Sequence, residues 1–315
     1  MNQLNPSARP TLGGHETFTF RYGWLRKGVE LANENGNIFS QDDALVQLGV
    51  GKNMVRAIRH WCLATNLLEE TPSENRTKPL QPTHLAKKLL LQTNAWDAYL
   101  EESASLWLLH WELISNTRRA WVWGRLFTTF LDAEFTFADF ETKLARQAER
   151  LGISTTSKTF TREIECCLKT YIPANQRNRR KTETYTEESI DCPLTELDLL
   201  HYTASDRYYR FQIGPKPSLS APVFGYALLK FWEQRANNRR TLRVDECIYE
   251  PGSPGQAFKL DENSVMAYLE ELENLLHNRL ILTETAGLRQ IALPDDNLQD
   301  LSAIAWELLP LAYVH

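Results

Sequence analysis

Between residues 40 and 91 the sequence reads as a helix, a tight turn, a second helix, a hairpin and a third helix. Ser40 can cap the first helix, QDDALVQLG, whose first turn carries Asp42 and Asp43, where the helix dipole favours acids. Gly49-Val50-Gly51 then breaks the chain before the second helix, KNMVRAIRHWCLATNLL. This order of elements is typical of a winged helix-turn-helix, and we expect that fold here.

The remaining elements of this segment follow from local patterns. The apolar residues of the second helix recur at three- and four-residue spacing, which predicts one buried face: Met54, Val55, Ile58, Trp61 and Cys62. Residues 67–70 and 78–81 flank a polar tip, SENRT, in the manner of a hairpin. Thr83 is placed to cap the third helix, HLAKKLLL.

The opposite face of the second helix is basic. Lys52, Arg56 and Arg59 are spaced four and three residues apart and share an exposed stripe with Asn53. In a winged helix-turn-helix the second helix enters the major groove, where its first residues reach base edges while Lys and Arg neutralise phosphates. The stripe therefore predicts contact with double-stranded DNA, although a solvated helix face or a protein-binding face would look similar.

Other basic residues join this predicted DNA-binding set. They lie at the hairpin tip and in the polar segment that follows residue 173, which we expect to be an exposed loop: Arg76, Arg177, Arg179, Arg180 and Lys181.

Charge and composition restrict the class of protein. With 40 acidic and 35 basic residues, DNA contact has to come from local patches, which excludes a histone-like coat. A hydrophobic content of 43% with 9 Trp excludes global disorder. The apolar runs are too short to span a membrane, and MNQLNPSARPTLGG lacks the apolar core of a secretory signal. Five irregularly spaced cysteines predict free thiols in the reducing cytoplasm and no structural zinc.

We expect a mainly α-helical fold with small β-hairpins, of the α+β class, in three regions. Residues 1–95 form the winged helix-turn-helix, residues 96–190 a helical middle region that ends in a polar basic loop, and residues 191–315 a C-terminal winged-helix-like module. In the middle region, the Trp- and Leu-rich stripe around Trp107 and Trp111 indicates a packed core rather than a stacking platform for bases.

The C-terminal module contains another helix followed by a hairpin. The string SPGQAFKLDENSVMAYLEELENLL predicts a Gly/Pro turn and then an amphipathic helix, which precedes two short strands, 279–283 and 288–292, with Gly287 in the turn. The exposed face of this helix is acidic, with Glu262, Glu270, Glu271 and Glu273. We therefore expect this face to contact protein rather than DNA.

No local motif identifies a reaction. The sequence contains no Walker A, G-x-G-x-x-G, G-x-S-x-G or H-E-x-x-H pattern. Asp139, Glu141 and Lys143 have nuclease-like residue types, but they lie in a helical pattern, where a two-residue spacing points them apart. His15, Glu16 and Arg21 are weak catalytic candidates, because two titratable groups adjoin a Gly-Gly pair.

Two strings carry a resemblance to a known family. GGHETFTFRYGWLRKG (13–28) and LGVGKNMVRAIRHW (48–61) resemble the SspB proteins of bacterial single-strand DNA phosphorothioation systems, a family first catalogued as of unknown function. Further agreement extends along the chain in LWLLHWEL (106–113), DCPLTELDLL (191–200), SPGQAFKLDE (253–262) and TAGLRQ (285–290).

The resemblance implies a function. It implies a cytoplasmic, nucleoid-associated DNA-nicking endonuclease that opens the backbone for sulfur incorporation and uses Mg²⁺ or Mn²⁺ held by carboxylates. The implied partners are double-stranded DNA, a cysteine desulfurase, an ATPase and a PAPS-reductase-like subunit. The residues alone leave open a non-catalytic subunit that reads DNA for these enzymes. A homodimer would suit a palindromic target.

Overall fold

The structure, a computed structural model, describes residues 10–73, 78–177, 191–235, 239–277, 279–285, 287–294 and 301–314. It is a mixed α+β fold in which helices predominate and the strands form small antiparallel sheets, which confirms the predicted class. Contacts divide the chain into two compact units. The first contains residues 2–125 and 132–211, and the second contains residues 126–131 and 212–315. The boundaries proposed from the sequence, 1–95, 96–190 and 191–315, stay a prediction.

The first unit begins with three helices, a hairpin and a short helix that continues into a π-helical turn over residues 87–91. These elements are α1 (Trp24–Glu34), α2 (Asp43–Leu48), α3 (Lys52–Ala64), β1 (Leu68–Glu70), β2 (Leu80–Pro82) and α4 (His84–Ala86).

Helices α2 and α3 meet at a glycine turn, as the sequence predicts. Gly49 ends α2 with a left-handed φ of 65°, a conformation that glycine adopts without a steric penalty. Ser40, however, does not cap α2, because it ends a 3-10 turn over Ile38–Ser40, and Asp42 takes the cap position without a side-chain bond. Helix α1 crosses α3 at Gly28, where a Cβ would lie 2.7 Å from Cys62 Sγ.

The predicted hairpin and the predicted cap are confirmed. Strands β1 and β2 pair antiparallel with Glu69 opposite Gln81, and the Thr83 hydroxyl accepts the Ala86 N–H at 3.2 Å. The hairpin tip, including Arg76, lies outside the described residues.

The rest of the first unit consists of helices around one small sheet, and the last three residues of α6, 126–128, belong to the second unit. The elements are α5 (Ser103–Ser115), α6 (Trp121–Thr128), β3 (Glu134–Thr136), α7 (Phe137–Arg150), α8 (Ser157–Tyr171), α9 (Ala174–Arg177), β4 (Leu200–Thr203) and β5 (Tyr208–Phe211).

Helix α5 lies in the core, as predicted. Trp107 is fully buried and Trp111 nearly so, and His110 Nδ1 lies 2.8 Å from the Tyr171 hydroxyl. The helical placement of Asp139 is also confirmed, because this residue forms a capping box with Thr136 at the start of α7. The sheet has the order β3-β5-β4, with Phe135 opposite Tyr209.

The second unit has its own core. Its elements are α10 (Ala221–Arg235), β6 (Thr241–Arg243), α11 (Val244–Tyr249), α12 (Pro254–Phe258), α13 (Glu262–Leu275), β7 (Ile281–Thr285), β8 (Leu288–Ala292) and α14 (Leu301–Leu308). Helix α10 packs on α13 and α14 at Gly225, where a Cβ would lie 2.5 Å from Leu272 and 2.7 Å from Leu308. The strands form one antiparallel sheet of order β6-β8-β7. The predicted helix and the hairpin that follows it are thus confirmed.

Among the described residues, none of the helices is both long and apolar enough to cross a membrane. All five cysteines are buried free thiols, as the sequence predicts.

Candidate nucleic-acid interface

The first turns of α3 present polar side chains to solvent. Gly51 precedes the helix in an extended conformation, so Lys52 and Asn53 open its first turn, and both are exposed. Arg56 follows one turn later with 56% of its side chain exposed, and Arg59 follows it with 31% exposed. On the opposite side of α3, Val55, Ile58, Trp61 and Cys62 are buried, as the apolar spacing predicts, whereas Met54 is only half-buried. The structure therefore brings the four predicted residues of α3 onto one accessible helix face.

Two arginines from the turn between α5 and α6 extend this face. Glu70, at the end of β1, lies 2.6 Å from Arg119 and 3.7 Å from Arg59. Burial alone would raise the pKa of the Glu70 carboxyl, but Arg119, Arg118 and Arg59 lower it below its ordinary value. Burial and the Arg119 charge lower the pKa of Arg59. We call the cationic residues Lys52, Arg56, Arg59, Arg118 and Arg119 the basic face.

A loop of unusual conformation adjoins the basic face. In residues 13–17, here called the His15 loop, Glu16 and Thr17 have φ values of 49° and 72°, which side-chain-bearing residues rarely adopt. This conformation places the Glu16 carboxylate 3.2 Å from Arg56 Nη1. Within the basic face and its immediate partners, the described residues thus place five cations against two carboxylates, Glu16 and Glu70.

Buried contacts hold the His15 loop in place. His15 is 1% exposed, its Nε2 lies 3.1 Å from a Glu163 carboxylate oxygen of α8, and its Nδ1 accepts the Thr17 N–H at 3.0 Å. The same Glu163 oxygen accepts the Gly13 N–H. Because Nδ1 accepts a hydrogen bond, the proton of a neutral His15 lies on Nε2, facing Glu163. Loop and α8 are therefore joined by a compact polar cluster beneath the surface.

The His15 loop also packs closely on α3. A Cβ on Gly14 would lie 2.4 Å from Nδ1 of His60, so only glycine fits between the loop and this ring. The His15 and His60 rings are 5.8 Å apart, centroid to centroid. Burial, together with the Arg119 and Arg59 charges, holds the pKa of His60 well below its ordinary value. His60 is therefore a neutral packing residue.

Of the other predicted site residues, only Arg21 has a side chain within the described part of this region. Arg21 is partly buried, and its guanidinium carbon lies 5.0 Å from the centroid of the Trp24 ring. Arg177 is the last residue of α9, and its side chain is outside the described part. Arg76, Arg179, Arg180 and Lys181 also lie outside the described residues. The catalytic role suggested for His15, Glu16 and Arg21 stays a prediction. The Glu16 carboxylate is more accessible to solvent than the His15 imidazole, which is buried.

The described residues do not form an evident metal centre. Within that part of the chain, no group of three or more His, Cys, Asp or Glu side chains is arranged to hold a metal ion. The two carboxylates at the basic face each pair with arginine instead. The donor set on this face is therefore cationic, which suits phosphate oxygens better than a divalent cation.

Sequence reasoning missed the contacts that assemble the site. Glu163 carried no pattern that would link it to His15, because the two residues are 148 positions apart. Glu70 was recognised as a hairpin residue but not as the centre of an arginine cluster. The only available signal was the Gly13-Gly14 pair before His15, which indicates a tightly packed or left-handed backbone.

The chain matches one family model and two solved structures over nearly its whole length. A family model described as "Protein of unknown function (DUF4007)" matches residues 12–313. The chain is similar to a magnesium ion-bound SspB crystal structure, with a TM-score of 0.86, 31% sequence identity and coverage of 98% of this chain and 90% of that chain. An SspB crystal structure matches with a TM-score of 0.85, the same identity and the same coverage. None of the curated proteins matches.

Proposed function

Since the chain belongs to the DUF4007 family and its resemblance to SspB is confirmed by solved structures, we propose that it is a DNA-binding component of a phosphorothioation system. In this proposal the basic face binds double-stranded DNA. One observation carries it: a chain with a net charge of -5 gathers five cations on one face, Lys52, Arg56 and Arg59 from α3 and Arg118 and Arg119 from the turn between α5 and α6. Such a local concentration of cations in an acidic protein is what phosphate binding requires.

The fold around the basic face supports a winged helix-turn-helix mode of docking. Helix α3 follows α2 across a glycine turn and precedes the β1–β2 hairpin, which is the element order of that motif. In this arrangement Lys52 and Asn53 reach base edges in the major groove, while Arg56 and Arg59 bind phosphates. The β1–β2 hairpin then takes the position of the wing.

The test is a binding titration with a matched control. Fluorescence anisotropy of labelled duplex DNA compares the wild type, Lys52→Ala/Arg56→Ala and, on the exposed side of α7, Arg146→Ala/Arg150→Ala. We expect the α3 pair to weaken binding on the order of tenfold or more and to reduce the salt slope, with no such effect from the α7 pair. Equal affinity of the three proteins would refute the proposal.

A second candidate function is a DNA-nicking endonuclease. The observation that favours it is the 31% identity to a magnesium ion-bound SspB. We assign no step to a metal, since no group of three or more potential ligands occurs among the described residues. Conversion of supercoiled plasmid to open circles, with Mg²⁺, Mn²⁺ or EDTA, decides between the two functions. Binding without nicking would leave a subunit that reads DNA.

We also propose partners for this chain from its similarity to SspB. A cysteine desulfurase, an ATPase and a PAPS-reductase-like subunit would supply sulfur to the DNA that this chain holds. The chain would act in the cytoplasm at the nucleoid, and a homodimer would read a palindromic target.

A further inference from the structure

A groove in the second unit is distinct from the basic face. It lies between α13 and the β7–β8 hairpin and has a volume of about 540 Å³. Apolar side chains, Met266 and Ala267 of α13 and Leu282 of β7, form part of its lining. Its charged lining consists of Glu270, Glu284 and Arg289. The volume is within the range of roughly 300–1,000 Å³ that is usual for ligand-binding sites.

The structure holds this groove in a fixed form. Val265 and Leu269, on the inner side of α13, are fully buried and fix the helix against the core. At one end, Glu273 accepts the Leu282 N–H at 2.9 Å and ties the last turns of α13 to β7. A preformed groove loses little conformational entropy when it binds a partner.

Strand β7 also offers its backbone at this groove. It is an edge strand, because the sheet order is β6-β8-β7. The Leu282 N–H points away from β8, since it donates to Glu273. Backbone groups alternate in direction along an antiparallel strand, so the N–H and C=O of Glu284 point to the same edge, two residues beyond the position that Glu273 occupies. An exposed edge of this kind is a template for an added strand.

The charge of the groove determines which kind of segment can pair with β7. Arg289 lies 3.4 Å from Glu284 and 3.9 Å from Glu262, whereas Glu270 has no ion pair among the described residues. The lining thus places two carboxylates, Glu270 and Glu284, against one guanidinium, and Glu262 adds a third carboxylate beside Arg289. This excess of negative charge repels nucleic acid and attracts lysine or arginine. Self-pairing of two β7 edges would bring Glu284 and Glu270 of both copies into one small interface, which disfavours a second copy of this chain.

We infer that this groove binds an extended segment of a partner protein in which lysine or arginine alternates with apolar residues. The segment adds to the β7 edge by backbone hydrogen bonds. Its apolar side chains contact Met266 and Leu282, and its cations face Glu270 and Glu284. In this inference the exposed face of α3 is basic and that of α13 is acidic, so the two helices bind different partners.

The experiment uses the full chain and a fluorescein-labelled peptide of alternating lysine and valine. Anisotropy titrations compare the wild type, Glu270→Gln/Glu284→Gln and a control with the same charge change on other exposed sites, Glu101→Gln/Glu149→Gln. We expect saturable binding that weakens about tenfold in the groove variant and stays unchanged in the control. A peptide of alternating glutamate and valine should not bind.

A second readout distinguishes strand addition from general attraction to acids. Hydrogen exchange of the Glu284 amide should slow when the lysine–valine peptide is bound, because an added strand accepts this N–H. Unchanged exchange, equal loss of binding in both variants, or no saturable binding would each overturn the inference. A change of oligomeric state in the groove variant, measured by analytical ultracentrifugation, would also overturn the inference. It would mean that the β7 edge pairs with a second copy of this chain.

Discussion

The carboxylate of Glu16 lies 3.2 Å from the guanidinium of Arg56, on the face that we propose binds DNA. The contact is built into the fold, because Glu16 has a φ of 49° within a loop that His15 anchors to Glu163 beneath the surface. A phosphate that binds Arg56 comes close to this carboxylate. Glu16 therefore competes with DNA for the arginine and repels the phosphate.

Replacement of Glu16 by Gln should strengthen DNA binding. The change removes one negative charge next to Arg56 and keeps the size of the side chain. Because exposed ion pairs contribute roughly 0.2–1 kcal/mol, we expect affinity to rise about 1.4- to fivefold at low salt and the gain to shrink as salt increases. Anisotropy titrations over a series of salt concentrations measure both effects.

The matched control for this substitution is Glu30→Gln. Glu30 pairs with Arg26 on α1 at 2.7 Å, so its loss removes the same charge and a similar ion pair from another helix. Its DNA affinity should stay at the wild-type value. If Glu16→Gln bound DNA no better than Glu30→Gln, Glu16 would not lie in the path of the DNA.

Asn53 and Arg56 should differ in what their loss does to DNA recognition. An asparagine in the first turn of a recognition helix can pair with an adenine edge, whereas an arginine one turn later contacts the backbone. Asn53→Ala should therefore cost about 1–3 kcal/mol on the preferred sequence and little on a random duplex. Arg56→Ala should weaken both duplexes alike and lower the salt slope by about one.

Competition titrations with the preferred and the random duplex separate these two outcomes. The preferred duplex is first selected from a random library with the wild-type protein. A uniform loss with Asn53→Ala would place this residue at the phosphate backbone and remove it from base reading.

The sequence predicted the parts of the site that depend on local periodicity. The two faces of α3 followed from residue spacing, the hairpin from its polar tip, and the Thr83 cap from its place before an apolar run. These features depend on neighbours within a few positions in the chain. Ser40 was a wrong cap because a 3-10 turn took it out of position, and short turns of that kind leave a weak sequence signal.

Contacts between distant segments could not be predicted. The pairing of His15 with Glu163, and of Glu70 with Arg119, brings together side chains that share no local pattern. The left-handed φ at Glu16 was equally hidden, because residues with a side chain rarely adopt it and no local pattern indicates it. Nothing in the spacing of strand β3 indicated that it pairs with β5, more than 70 positions later.

Gly14→Ala should destabilise the protein. The new Cβ would lie 2.4 Å from Nδ1 of His60, whose ring is 4% exposed and has little room to move. Overpacking of this kind costs about 1–3 kcal/mol. Urea unfolding measures the loss, and DNA binding should weaken with it because the His15 loop shifts against α3.

Gly51→Ala is the control for this glycine. No atom lies within 4 Å of its added Cβ, and its φ of -69° suits any residue. We expect a change in the free energy of unfolding below about 1 kcal/mol, mainly from the poorer helix cap that alanine makes. Similar destabilisation by both substitutions would mean that the contact with His60 does not set the cost at Gly14.

In the second unit, Lys259 should make stability rise with pH. Lys259 is 5% exposed, its Nζ lies 5.7 Å from the centroid of the Phe127 ring, and burial lowers its pKa to about 7. An unfolded lysine titrates near 10.4, so between pH 7 and 10 the unfolded chain holds a proton that the folded chain has released. The folded state therefore gains up to about 1.4 kcal/mol per pH unit across this window.

Lys259→Met tests this prediction, because it keeps a long side chain and removes the titrating group. Relative to this variant, the wild type should become steadily more stable from pH 7 to pH 10 in urea unfolding, since only the wild-type unfolded chain takes up the proton. Lys169→Met, on the exposed side of α8, should follow the wild type at every pH. Parallel pH profiles for wild type and Lys259→Met would show that Lys259 stays protonated in the folded protein, with its charge compensated there.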